Sequence, residues 1–152
     1  MQHIRNFTLV LSLSAWASLA GCASQATKEV PSSSQDAPGQ GYSIKLLNIT
    51  PTPGTPFTRG ASATFHVSVS YKLTIADKGS IVLVFQDETN AHVGGASART
   101  EAVRPGGNVT LDETLEIPQQ GKELRLFVPI MPQGVKNTTG ELLFRYPIVE
   151  HN

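Results

Sequence analysis

Catalysis needs a nucleophile, a metal-ligand set or a proton-transfer pair, and this 152-residue chain holds few of the residues that supply them. There is one cysteine, Cys22, and the histidines are His3, His66, His92 and His151. Asp87, Glu88 and His92 lie close enough in sequence to gather around a hard cation. The same letters also make a polar turn after a buried strand. His66 occupies a polar position of an alternating run, where a solvated side chain is expected, and His151 stands next to the C-terminal residue, where chains fray. No H-E-x-x-H, G-x-S-x-G, Walker-type or calcium-loop pattern occurs. The expectation is therefore a protein that is not an enzyme, with no catalytic residue, no metal set and no cofactor.

Cys22 has a different chemistry available. His3 and Arg5 form a weakly basic head, and 7–19 is a mostly apolar, uncharged run interrupted only by Thr8 and serines. That run has the length of a signal-peptide core and is too short for a permanent membrane span. It closes on Leu19-Ala20-Gly21-Cys22, which resembles the lipobox of bacterial lipoproteins. The resemblance implies that the Cys22 thiol is alkylated with diacylglycerol, that residues 1–21 are cut away, and that the new amino group is often acylated. It also rules out thiol catalysis. Two or three acyl chains anchor firmly where one does not. Ala23 follows the lipidated position, where an aspartate commonly retains Gram-negative lipoproteins at the inner membrane, so the comparison leans toward the outer membrane. The alternative is an ordinary secretory peptide with Cys22 a chance residue.

The mature chain of 131 residues fits one domain and carries 11 basic against 12 acidic residues once Arg5 is removed. That balance offers no basic surplus for a phosphate backbone, so nucleic acid is not an expected partner. With the single cysteine used for lipid, the fold must stand on its core without a disulfide. Residues 22–41 are expected to be a lipidated N-terminus and flexible linker, because Val30 is their one large apolar residue among Ser, Gln, Pro, Gly and charged neighbours. The domain proper is expected over 42–152.

Within it the dominant period is two. From Ala61 to Leu73 every odd position is apolar or aromatic and every even one is Ser, Thr, His or Lys, the pattern of a strand with one face on a core. Phe65, Val67, Val69 and Tyr71 should point inward and His66, Ser68 and Ser70 outward. Further strands are expected at Tyr42-Ile44-Leu46, over 81–86, at Val109-Leu111-Glu113-Leu115-Ile117 with Glu113 at a bulge or rim, at Leu124-Leu126-Val128-Ile130 and at Leu142-Phe144-Tyr146-Ile148. A weaker edge strand is expected over 96–103. Turn residues at Asp77-Lys78-Gly79, Pro105-Gly106-Gly107, Gln120-Gly121 and 131–140 separate them. The long 131–140 connection should lie at the end where Tyr42 begins the domain.

About seven short strands without a helical period predict an all-β, two-sheet antiparallel sandwich, with a small barrel as the alternative. The strand ending in Ile49-Thr50-Pro51, the Gly60 turn and the 61–73 strand resemble immunoglobulin-like or fibronectin type III-like modules of bacterial surface proteins. The paired cysteines and core tryptophan of antibody domains are missing, since Cys22 and Trp16 both precede the domain. The resemblance carries over no functional residue, and a fold with so many roles does not choose among them.

With the third, sixth and seventh strands in one sheet, the outward set becomes Val82, Val84, Arg125, Phe127, Leu143 and Arg145. An apolar stripe flanked by arginines on a face otherwise wet marks a candidate surface for an envelope protein or for a homodimer. Strand propensity alone, or cover by the first strand or a loop, would account for the same residues. The function expected is a non-catalytic cell-envelope lipoprotein whose sandwich binds or scaffolds another envelope component. A carbohydrate- or surface-ligand module is the alternative, weakened because Tyr42, Tyr71 and Tyr146 are mostly inward positions.

Overall fold

The computed structural model describes residues 41–136 and 140–150. Cys22, the linker up to residue 40, residues 137–139 and His151 lie outside the described residues.

Among the described residues, nine strands form two sheets: β1 (Tyr42–Thr50), β2 (Phe57–Thr58), β3 (Ser62–Leu73), β4 (Lys78–Val82), β5 (Val84–Asp87), β6 (Arg99–Val103), β7 (Gly106–Glu116), β8 (Glu123–Pro132) and β9 (Glu141–Val149). One sheet has the order β1-β3-β7; the other runs β2-β9-β8-β4-β6, with β5 also on β8. All pairings are antiparallel except the two-residue β2 beside β9. No described residue is helical. This is the expected immunoglobulin-like sandwich.

Alternation builds the core. On β3, Ala63, Phe65, Val67, Val69, Tyr71 and Leu73 are buried, while His66 is exposed, as the period of two requires. They meet Leu124, Leu126, Val128 and Ile130 of β8 and Leu142, Phe144, Tyr146 and Ile148 of β9 in one cluster. Rings concentrate near the β2 end of that cluster. Phe65 lies 4.8 Å from Phe85, 5.2 Å from Tyr146 edge-on, and 5.5 Å from Phe57 between centroids, spacings at which aromatic pairs attract beyond their area. Tyr146 keeps its polar end satisfied by donating to the Pro51 carbonyl at 3.0 Å, and burial pushes its phenol well above the ordinary tyrosine range.

Three details depart from the sequence reading, and one of its alternatives, Glu113 at a bulge or rim, is decided. The run expected as one strand over 81–86 is split at Leu83, whose amide leaves the ladder to donate to Ala98 O at 2.9 Å. β4 therefore pairs with both β6 and β8, whereas β5 pairs with β8 alone among the named strands. Glu113 is not at a bulge, because β3 and β7 run in unbroken register from Ser62 to Lys72. It sits at the rim instead, an inward carboxylate on an edge strand that accepts the Ala98 amide at 2.8 Å, and such a charge also discourages further strand pairing there. The bulge is in β1, between Leu46 and Asn48, and it switches the inward residues from even to odd numbers. Finally, Gly106 and Gly107 belong to β7 rather than to a turn. Gly106 has φ +138, and a Cβ there would stand 2.3 Å from Tyr71 O, so only glycine lets the two strands approach.

The described ends of the β8–β9 connection lie at the expected end of the sandwich. Gly140 fits against the Tyr42 ring, and Gln133 N donates to Lys78 O at 2.8 Å.

Candidate functional site

Antiparallel register decides which outward side chains meet. Val84 of β5 stands opposite Phe127 of β8, and Phe127 opposite Leu143 of β9. The three form one row across the sheet, each half-buried, and none belongs to the core cluster or to the residues packed against it. One row on, Gln86, Arg125 and Arg145 stand opposite one another. Glu123 Oε1 accepts both Arg125 Nε at 2.7 Å and Arg145 Nη1 at 2.6 Å. Arg125 Nη1 also donates to Asn90 Oδ1 at 3.3 Å. The shared carboxylate holds both guanidinium groups beside the apolar row, and the Asp87 carboxylate on β5 also interacts with the Arg125 charge. Such an arrangement can take an apolar side chain of a partner with an acidic group next to it.

Val82 needs correction. It was expected on this face, and it is 3% exposed. It ends β4 in the middle of the sheet with Arg99 directly opposite on β6, and a short branched side chain enclosed by flanking strands offers no usable surface. It lies outside the core cluster all the same.

Asp87, Glu88 and His92 do not converge on a cation. Asp87 Oδ1 accepts the Thr89 hydroxyl at 2.6 Å, the Thr89 amide at 2.8 Å and the Ala91 amide at 2.9 Å. The Thr89 hydroxyl first, and the two amides with it, hold the Asp87 carboxyl below its ordinary range. Glu88 is held down in the same way, mainly by its own amide and that of Lys122, which approaches both carboxylate oxygens at 3.1 and 3.2 Å. His92 makes a bridge with Gln86 and contacts Gly95 O at 3.1 Å. These carboxylates staple the turn after β5, and no group of metal-ligating side chains occurs among the described residues.

The opposite outer surface carries a ladder of polar pairs that the sequence reading did not assemble. Thr64 meets Thr114 at 2.8 Å, His66 Nδ1 meets Asp112 Oδ1 at 2.7 Å, and Ser68 meets Thr110 at 2.8 Å. The signal was present in the even positions of β3 and of β7, but only the register aligns them. His66 and Asp112 side chains are 54% and 62% exposed, and no hydroxyl is hydrogen-bonded to the second ring nitrogen among the described residues. Among the described residues, then, no hydroxyl is placed for the pair to activate. Tyr42, Tyr71 and Tyr146 are buried, so none of the three is a stacking platform for a sugar.

No protein-family model matches the chain, and no curated protein matches it. Among solved structures, it is similar to the CARDB domain of a Pyrococcus furiosus protein in complex with di-metal ions, at 10% identity and TM-score 0.48, covering 72% of this chain and 90% of that one. A second likeness is to beta-glucosidase from Listeria innocua, at 16% identity and TM-score 0.43, over 72% of this chain but only 16% of that chain. A third is to the apo-form Calx CBD1 domain, at 14% identity and TM-score 0.34, covering 72% and 98% of the two chains. These likenesses bear on the fold alone. The chain is an all-β, immunoglobulin-like sandwich.

Proposed function

We propose that this protein is a lipid-anchored component of the bacterial cell envelope, and that its sandwich holds another envelope protein against the outer face of β5, β8 and β9. One observation carries the reading: the row Val84–Phe127–Leu143 points away from the core while Arg125 and Arg145 are held beside it by Glu123. Apolar residues flanked by fixed guanidinium groups are the composition of interface centres, where aromatic and arginine side chains carry most of the binding. The lipobox-like Leu19-Ala20-Gly21-Cys22 supports the location, since an acylated Cys22 keeps the domain at the membrane, the outer one in a Gram-negative cell.

The test is capture from the organism's own membranes by the tagged, lipidated chain. Phe127→Ser with Leu143→Ser should abolish recovery of the co-purifying protein, or of a differently tagged second copy if the partner is the chain itself. Full recovery with both residues replaced would sink the proposal. Cys22→Ser should move the protein out of the membrane fraction and remove its acyl label.

A further inference from the structure

Four large apolar side chains among the described residues are strongly exposed, and two of them, Ile75 at 51% and Val103 at 44%, share one end of the sandwich. The local structure fixes them outward. Ala76 and Ala102, their neighbours in the chain, take the positions that pack against or within the core, so the branched side chains are left at the rim. The two segments that carry them are fastened together: Arg104 N donates to Asp77 O at 3.0 Å, Leu73 N to Pro105 O at 2.9 Å, and Val103 N to the Tyr71 hydroxyl at 3.0 Å. This is also the end where the chain enters the domain. Thr74 N and Ile75 N both donate to Gly41 O, at 2.6 and 3.2 Å.

We infer that this end rests on the membrane, with Ile75 and Val103 in the headgroup region of a phospholipid surface. The inference rests on the lipid-anchor reading of Cys22. Residues 22–40 number 19, and a coil of that length has a reach of roughly 25 Å. The end that carries Gly41 is therefore the one held nearest the anchor. Two aliphatic side chains would not bind a bilayer from solution, but a tethered surface meets it at high effective concentration, where a weak contact suffices. The charges do not oppose the contact. Lys78 and Arg104 pair with Glu101 and Asp77 at 2.9 and 3.1 Å, and Lys72 and Lys136 outnumber Glu141 at this end. Anionic headgroups are thus met by a slightly positive rim. Seated this way, the strands rise from the membrane and the β5-β8-β9 face stands sideways, open to a neighbour in the envelope.

The test uses protein purified from bacterial membranes and reconstituted into phosphatidylcholine:phosphatidylglycerol vesicles whose acyl chains are brominated near the headgroup. Cleavage before Cys22 takes away Trp16, the chain's one tryptophan, so single indoles are introduced as Ile75→Trp, Val103→Trp or, on the outer face of β3, Thr64→Trp. Interfacial side chains sit about 5–10 Å into the boundary, so the first two indoles should lose roughly half their emission, and the third almost none. If the protein floats with the vesicles but Ile75→Trp and Val103→Trp are no more quenched than Thr64→Trp, the docking is wrong and the anchor stands. A protein that fails to float at all overturns the anchor and the docking together.

Discussion

On the outside of the β1-β3-β7 sheet, Thr64, His66 and Ser68 each bond the residue opposite on β7, so the face satisfies itself. On the outside of β5-β8-β9, Val84, Phe127 and Leu143 stand in a row that no core residue covers, beside two arginines sharing one carboxylate. Both faces come from the same alternation and the same antiparallel geometry. They differ in what is left over once local bonds are counted. The first leaves short polar pairs that water can also serve, and removing one changes little. The second leaves apolar area with guanidinium groups fixed beside it, which a partner can use and water cannot. The difference shows that binding capacity on a sheet depends on unspent chemistry rather than on polarity as such.

The scale for breaking this comparison is set by the core behind both faces. Phe65→Ala, at a fully buried position, should cost about 3–5 kcal/mol in denaturant unfolding. A much smaller loss would mean that the sandwich interior is not packed as described. Phe127→Ser with Leu143→Ser should abolish partner capture yet shift the melting temperature by only a few degrees, because neither residue supplies the core. A drop comparable to that of Phe65→Ala would assign both residues to the core and remove the contrast between the faces.

Smaller effects sharpen the contrast. Tyr146→Phe deletes the bond to Pro51 O and should cost about 1 kcal/mol in the same unfolding measurement. Asp87 and Glu88 have folded pKa values below their ordinary 3.8 and 4.5. Their stabilisation is complete above those ordinary values and is lost as pH falls through the lower folded ones. Melting temperature should therefore decline on acidification below the ordinary range, and Asp87→Asn with Glu88→Gln should flatten part of that decline. An acid limb unchanged by both substitutions would contradict the stapling role. At the small end, Asp112→Asn on the polar face should change stability by no more than roughly 1 kcal/mol, since both partners of His66–Asp112 are exposed, and it should leave capture intact.

Most of the sandwich was legible because a period of two survives wherever one face is buried, as in 61–73, and because glycine and proline mark the turns. The register was not legible. Nothing in the letters says that His66 meets Asp112, or that Val84, Phe127 and Leu143 fall in one row, because cross-strand pairing is a property of the folded sheet. The bulge left a trace in the change of parity from Tyr42-Ile44-Leu46 to Ile49, which puts Leu47 in solvent at 53%. Val82 keeps its outward parity, since Ile81, Leu83 and Phe85 lie in the core cluster and it does not, but the letters do not show that neighbouring strands enclose it. Asp87 and Glu88 looked like cation ligands in sequence because a carboxylate that caps amides and one that binds a metal are the same letter.

Site-specific photocrosslinking in living cells tests the central claim most directly. A photoreactive side chain replaces Leu143 in the full-length, lipidated protein, and in a matched variant it replaces Thr64. The account predicts a discrete crosslinked adduct from position 143 and none from position 64. Adducts of equal yield from both positions, or from position 64 alone, would contradict it.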